Sequence, residues 1–138
     1  MKLSQNMREA LVKEIRFAAN KMKNSPKITD KMYFFSAVYG MLQRVFNFEY
    51  DPELVFIHQV IHQAFDTINN RVNMGIQRDV PSTIPDDLFA KLEACLFELA
   101  DKIESNKKSY EILEKIANIG YVTIGNGLYL NIKGDLKI

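Results

Sequence analysis

The stretch DPELVFIHQVIHQAFDTINN, residues 51–70, holds most of what the chain says about its own architecture. Asp51-Pro52 reads as a helix N-cap followed by proline at the first helical position, where a missing amide costs nothing. Leu54, Ile57, Ile61, Phe65 and Ile68 then recur at spacings of three and four, one apolar stripe of an amphipathic helix that runs to about Asn70. Two groups fall outside that stripe. Phe56 and Val60 lie nearly opposite Ile61, and His58, His62 and Asp66 follow a ridge from the stripe's edge toward solvent.

Working outward, the upstream sequence predicts two more helices. The first runs from Ser4, a candidate N-cap, to Lys23, with Met7, Leu11, Ile15, Ala18 and Met22 on one face. Asn24-Ser25-Pro26 ends it, because proline disfavours helix at the residue before it. The second runs from near Asp30 to about Asn47. Its apolar face is broad (Phe34, Phe35, Val38, Tyr39, Met41, Leu42, Val45, Phe46), while Ser36 and Gly40 on the other side would admit a second backbone. A short link to Asp51 predicts an antiparallel pair with the 51–70 helix.

Downstream, residues 70–82 show no clean period and read as a crossover or a functional connection. Thr83 with Asp86 resembles a capping box for a fourth helix bearing Leu88, Leu92, Cys95, Leu96, Leu99 and Ile103 on one face. A fifth helix spans about Lys108 to Ile119 and stops at Gly120, a common C-terminal signal. The period then switches to strand chemistry in residues 121–124 and 128–132, around the turn Gly125-Asn126-Gly127. Gly134-Asp135 could turn the chain again, into a short strand at Leu136-Lys137-Ile138. The expected fold is mostly α: an antiparallel bundle of four long helices over about 4–104. A short helix and C-terminal β-hairpin over about 108–138 form an appendage, all within one domain of 1–138.

Composition narrows the function classes. The chain has 138 residues, 47% hydrophobic and 25% charged, with nine Phe and six Tyr, which fits one globular domain and excludes disorder. Cys95 is the single cysteine, so no disulfide framework exists within the chain. The start turns polar at once and Leu54-Val55-Phe56-Ile57 is too short to span a bilayer, so a cytoplasmic location is expected and a membrane partner is not. The net charge of +1 hides an asymmetry. Residues 1–31 hold eight basic against three acidic side chains, and residues 86–104 hold six acidic against two lysines. Mutual compensation inside the fold is the simplest reading.

Three functional readings follow. The two histidines, four apart, with Asp66 a further turn on, have the spacing for a metal ion on one helix ridge, the one cofactor the sequence suggests. Lys13, Arg16, Lys23 and Lys27 form a basic track that could follow a phosphate backbone. Glu9 interrupts that track and no aromatics interleave with it, so nucleic acid is the weaker partner. Phe56 and Val60, with Ala90, Ala94 and Phe97 on the fourth helix, form apolar patches away from the main stripes and point to a homo-oligomer, most simply a twofold dimer. No catalytic set emerges. Cys95 sits in an apolar stripe beside Glu93 and Glu98, the wrong setting for a nucleophile. No serine has nucleophile-elbow surroundings, and the 125–127 turn leads into strand rather than the helix a phosphate loop needs. The expected function is a non-enzymatic interaction or structural module. A metal-dependent bundle enzyme using His58, His62 and Asp66, and a small nucleic-acid-binding regulator using the basic first helix or the C-terminal hairpin, are the alternatives.

Overall fold

The computed structural model of the chain describes residues 1–78 and 84–122. Among these, five helices account for nearly all the regular structure: α1 (Gln5–Asn24), α2 (Ile28–Phe48), α3 (Pro52–Arg78), α4 (Leu88–Glu104) and α5 (Tyr110–Ile119). The hairpin expected over 121–132 and the short strand after it lie outside the described residues, apart from Tyr121 and Val122. The capping box expected from Thr83 and Asp86 is corrected: residues 84–87 are not helical, and α4 starts at Leu88 with Asp87 as its N-cap. Local chemistry sets the helix starts. Ser4 Oγ accepts from the Met7 amide at 3.3 Å, the N-cap read from sequence. Asp51 Oδ1 accepts from the Glu53 amide at 2.8 Å, so this residue caps α3 as its pairing with Pro52 predicts. The helix continues to Arg78, a full two turns beyond Asn70, so much of the stretch read as a connection is helix.

The helices form a ring rather than a bundle with an appendage. α1 packs against α2 and α4, α2 against α3, α3 against α5, and α5 closes back on α4. Paired positions give the directions. Tyr39 meets His62 while Phe46 meets His58, so α2 and α3 are antiparallel. Arg8 reaches Ile103 at one end of α1, and Lys31 links Met22 to Glu93 at the other, so α1 and α4 are antiparallel too. Glu53 meets Ser109, Phe56 meets Tyr110 and Ala64 meets Gly120, which makes α3 and α5 parallel. A ring of five helices that alternate along the chain must contain one parallel pair, and this is it.

The role expected for α5 is therefore corrected. It is only ten residues long and too short to hold together in water by itself. It is nevertheless a wall of the core, with Leu113, Ile116 and Ala117 at 0% exposure and Ile112 at 1%.

Its C-terminus corrects a second expectation. Gly120 has φ −87°, so it is not the left-handed stop residue; Tyr121 takes that conformation at φ 60°. The Val122 amide donates to the Ala117 carbonyl at 2.8 Å, completing a helix-ending motif with tyrosine where glycine is usual. The Tyr121 ring sits against the Arg71 guanidinium, 3.7 Å from its centroid, which offsets part of the conformational cost. Gly120 is needed for a different reason: a Cβ there would stand 2.4 Å from Ala64 Cβ and 2.8 Å from Ala64 Cα on α3. Gly120→Ala is expected to cost about 1–3 kcal/mol through this overlap, read as a lower denaturant midpoint at unchanged slope, with Gly120→Ala/Ala64→Gly recovering part of the loss.

One end of the ring is closed by polar groups with little access to water. Arg8 donates to the Ile103 carbonyl at 2.7 Å and the Met1 carbonyl at 2.9 Å. Glu53 accepts from the Ser109 hydroxyl at 2.9 Å and lies 3.2 Å from the Met1 ammonium. Asp51 accepts from the Lys2 amide at 2.9 Å. Among the described residues every buried side-chain nitrogen and oxygen has a partner, as burial without water requires.

Candidate functional site

The two histidines of α3 face α2, where they join a run of ring side chains. Phe35 is fully buried and lies 6.1 Å from Phe65, and Phe65 lies 5.2 Å from Tyr39. Tyr39 packs at 4.7 Å against His62 and 6.1 Å against His58, and Phe46 meets His58 edge-on at 5.3 Å. Tyr39, Phe46, His58, His62 and Phe65 are each half-buried, so the seam has an apolar floor and a wet rim. Burial and the neighbouring His62 charge hold the His58 imidazole below its ordinary pKa, with desolvation the larger cause. Asp66 is exposed, with its Oδ2 3.8 Å from His62 Nε2.

This arrangement does not assemble the metal site suggested by the spacing. Among the described residues no three His, Cys, Asp or Glu side chains are grouped so as to hold an ion. The His58 and His62 rings stand 5.6 Å apart and only 28° from parallel. An imidazole's lone pair lies in its ring plane, so nearly parallel rings aim theirs side by side rather than at one point. The pair is packed as aromatic groups, each ring against Tyr39.

The residues expected at an oligomer interface separate into two kinds. Phe56 and Val60 are at 0% exposure within the single chain, and the Phe56 ring stacks on Tyr110 at 6.3 Å and 4°. Their face of α3, opposite the main stripe, is covered by α5, so their place in an interface is withdrawn. On α4, Phe97 is half-buried against the core, while Ala90 and Ala94 are exposed. The large exposed rings are elsewhere: Phe48 at 80%, Tyr50 at 72% and Tyr33 at 70%.

The basic track on α1 is partly spent inside the fold. Arg16 forms a fork on Glu104, with Nη1 at 2.8 Å and Nη2 at 3.0 Å, and its Nη2 also reaches Asp101 at 2.7 Å. These carboxylates push the Arg16 pKa further up, and Glu104 is correspondingly held below its ordinary value. Lys13, Lys23 and Lys27 are exposed. The basic N-terminal helix thus faces the acidic fourth helix, and the asymmetry read along the chain compensates locally.

Three buried charged residues, Arg8, Glu53 and Glu93, and the part-buried Lys31 that pairs with Glu93 at 3.1 Å have structural roles that their apolar neighbours in sequence do not announce. A helical wheel carries the signal for two of them, because Arg8 falls beside Ile15 and Val12, and Glu93 beside Phe89 and Ala100. Cys95 is buried, and burial pushes its thiol pKa up, with Glu98 adding to the effect. That is the environment of an inert thiol.

Comparison with protein-family models, with curated proteins and with solved structures gives no match for this chain. Among the described residues no helix is long and apolar enough to cross a membrane.

Proposed function

We propose that the chain is a non-enzymatic interaction module that acts as a homo-oligomer, most simply a dimer, through the outer face of α2. One observation carries this reading: Tyr33, Phe48 and Tyr50, on α2 or just after it, expose 70–80% of their surface, far more than aromatic rings elsewhere among the described residues. Fifteen residues separate Tyr33 from Phe48, roughly 22 Å along the helix. Between them lie Ala37, Gly40 and Arg44, and all five fall within about 80° of one another on the wheel.

This face is complementary to itself. In an antiparallel pair of α2 helices crossing at Gly40, Tyr33 of one copy meets Phe48 of the other, and Ala37 meets Arg44. Short side chains at the crossing let the backbones approach, and rings at both ends fill the space beside them. A Cβ built on Gly40 meets nothing within 4 Å, so the space above it is open in the single chain. With a net charge of +1, two copies repel each other little.

Light scattering tests the proposal. The expected mass is a multiple of 15.9 kDa, reduced to that of one chain by Phe48→Glu, Tyr33→Glu or Gly40→Leu with thermal stability of the monomer retained. Gly40→Ala separates folding from association, because it should stabilise the fold by about 0.5–1 kcal/mol through lower unfolded-chain entropy. A wild-type chain that is monomeric at high micromolar concentration, or an assembly untouched by all three changes, overturns the proposal.

A further inference from the structure

We propose that the His58–His62 pair is a proton-operated wedge in the α2–α3 seam, which loosens that seam selectively when the solution is acidified. The geometry is a pair of rings one helical turn apart, 5.6 Å between centroids, inserted into an aromatic run on the facing helix. His58 stands T-shaped to two rings on α2, Phe46 at 5.3 Å and Tyr39 at 6.1 Å. His62 packs on Tyr39 at 4.7 Å. Neither α2 ring carries a negative charge to pair with an imidazolium.

The charged groups around the pair do not cancel the protons it would take up. On α3, Asp66 lies 3.8 Å from His62 and is itself exposed, so it serves the outer histidine rather than the inner one. On α2, Tyr39 is the titratable group turned toward the pair, and a phenol carries no charge in acid. Arg44, the basic residue of α2 in this region, is exposed on the outer face, well round the wheel from Tyr39. The nearest charge that His58 meets is a second histidine. An imidazolium at His58 would therefore sit in a half-buried aromatic slot beside a second histidine, which raises its cost.

The direction of the effect follows. Burial and His62 hold the folded-state pKa of His58 below its ordinary value, so the unfolded chain takes up this proton more readily. Stability is then full above the unfolded histidine pKa of about 6.5 and falls as the pH drops from there through the lower folded value. The carboxylates held down by their partners, Glu49, Asp87 and Glu104, lose their contribution only in more acid solution, as the pH falls through the ordinary carboxylate range to their lower folded values. The window from about pH 7.5 to 5 thus belongs to His58. This inference does not depend on self-association, and dilution into the monomer range leaves it testable.

The test uses hydrogen exchange and histidine titration on the full chain. After correction for intrinsic exchange, amides of α2 and α3 at the seam should open more often at about pH 5.5 than at pH 7.5, with α1 and α4 unchanged. The thermal midpoint should fall over the same range. His58→Phe, which keeps a ring and removes the proton site, should abolish most of both effects. Should that variant not fold, nuclear magnetic resonance titration of the wild type decides, with His58 expected to titrate below the unfolded histidine value of about 6.5. Equal acid sensitivity in His58→Phe, uniform loosening of all helices, or a His58 midpoint at or above the unfolded value overturns the proposal.

Discussion

Phe56→Ala is expected to lower the stability of the folded chain by about 3–5 kcal/mol, measured by urea unfolding with an unchanged slope. The ring is at 0% exposure and stacks nearly parallel on Tyr110, the first residue of α5. Truncation removes its apolar area and leaves a void between α3 and α5, and α5 is too short to shift inward without losing its other contacts. A domain of this size has about 5–15 kcal/mol of total stability, so the change consumes a large share. A surface phenylalanine would cost under about 0.5 kcal/mol. The same experiment therefore separates the core role from the interface role that the sequence alone suggests for this residue. An assembly that dissociates in Phe56→Ala while its stability is unaffected would contradict the packing described.

Glu53→Ala is the second large effect, with an expected loss of about 2–3 kcal/mol. The carboxylate ties three chain segments together: its Oε2 lies 3.2 Å from the Met1 ammonium, and its Oε1 accepts from Ser109 at 2.9 Å, just ahead of α5. Ser109 is 1% exposed, so little water can replace the acceptor its hydroxyl loses. Leaving a buried donor without its acceptor costs more than the hydrogen bond contributes when intact. Ser109→Ala, which deletes a neutral donor and leaves Glu53 its ammonium partner, should cost nearer 1 kcal/mol. The double variant should cost less than the two single changes added, since both act on one network. Chemical denaturation of the four proteins measures this coupling, and simple additivity would show that the contacts are independent.

Helix positions and the starts of α1 and α3 were legible because they depend on neighbours in sequence. Ser4 and Asp51 cap the helices they were expected to cap, and the four apolar faces read along α1 to α4 turn to the core, whereas α4 has its N-cap at Asp87 and not at Thr83. The end of α3 was not legible, since Asn70 to Arg78 lacks a clean apolar period and its helicity extends a helix already nucleated upstream. Gly120 was recognised as the end of α5 for the wrong reason. A close approach to Ala64 is a contact between residues 56 apart, and nothing local announces it.

The candidate site was legible only as a list of residues. Four-residue spacing placed His58, His62 and Asp66 on one ridge, but ring orientation depends on what α2 presents to them, and it presents Tyr39 and Phe46. The exposed rings Tyr33, Phe48 and Tyr50 were equally visible in the sequence, yet their exposure appears only once α2 has chosen which side to bury.

The stretch 51–70 by itself determined that α3 exists, where it begins, and that it carries two apolar faces. Helix formation and capping are short-range, governed by hydrogen bonds within four residues and by side chains one turn apart. Only the tertiary structure decided what the second face, Phe56 and Val60, is for. Hydrophobic burial has no direction and no address, so a second stripe fits another helix of the same chain as well as another copy. Here α5 takes it, and the exposed rings Tyr33 and Phe48 lie instead on α2.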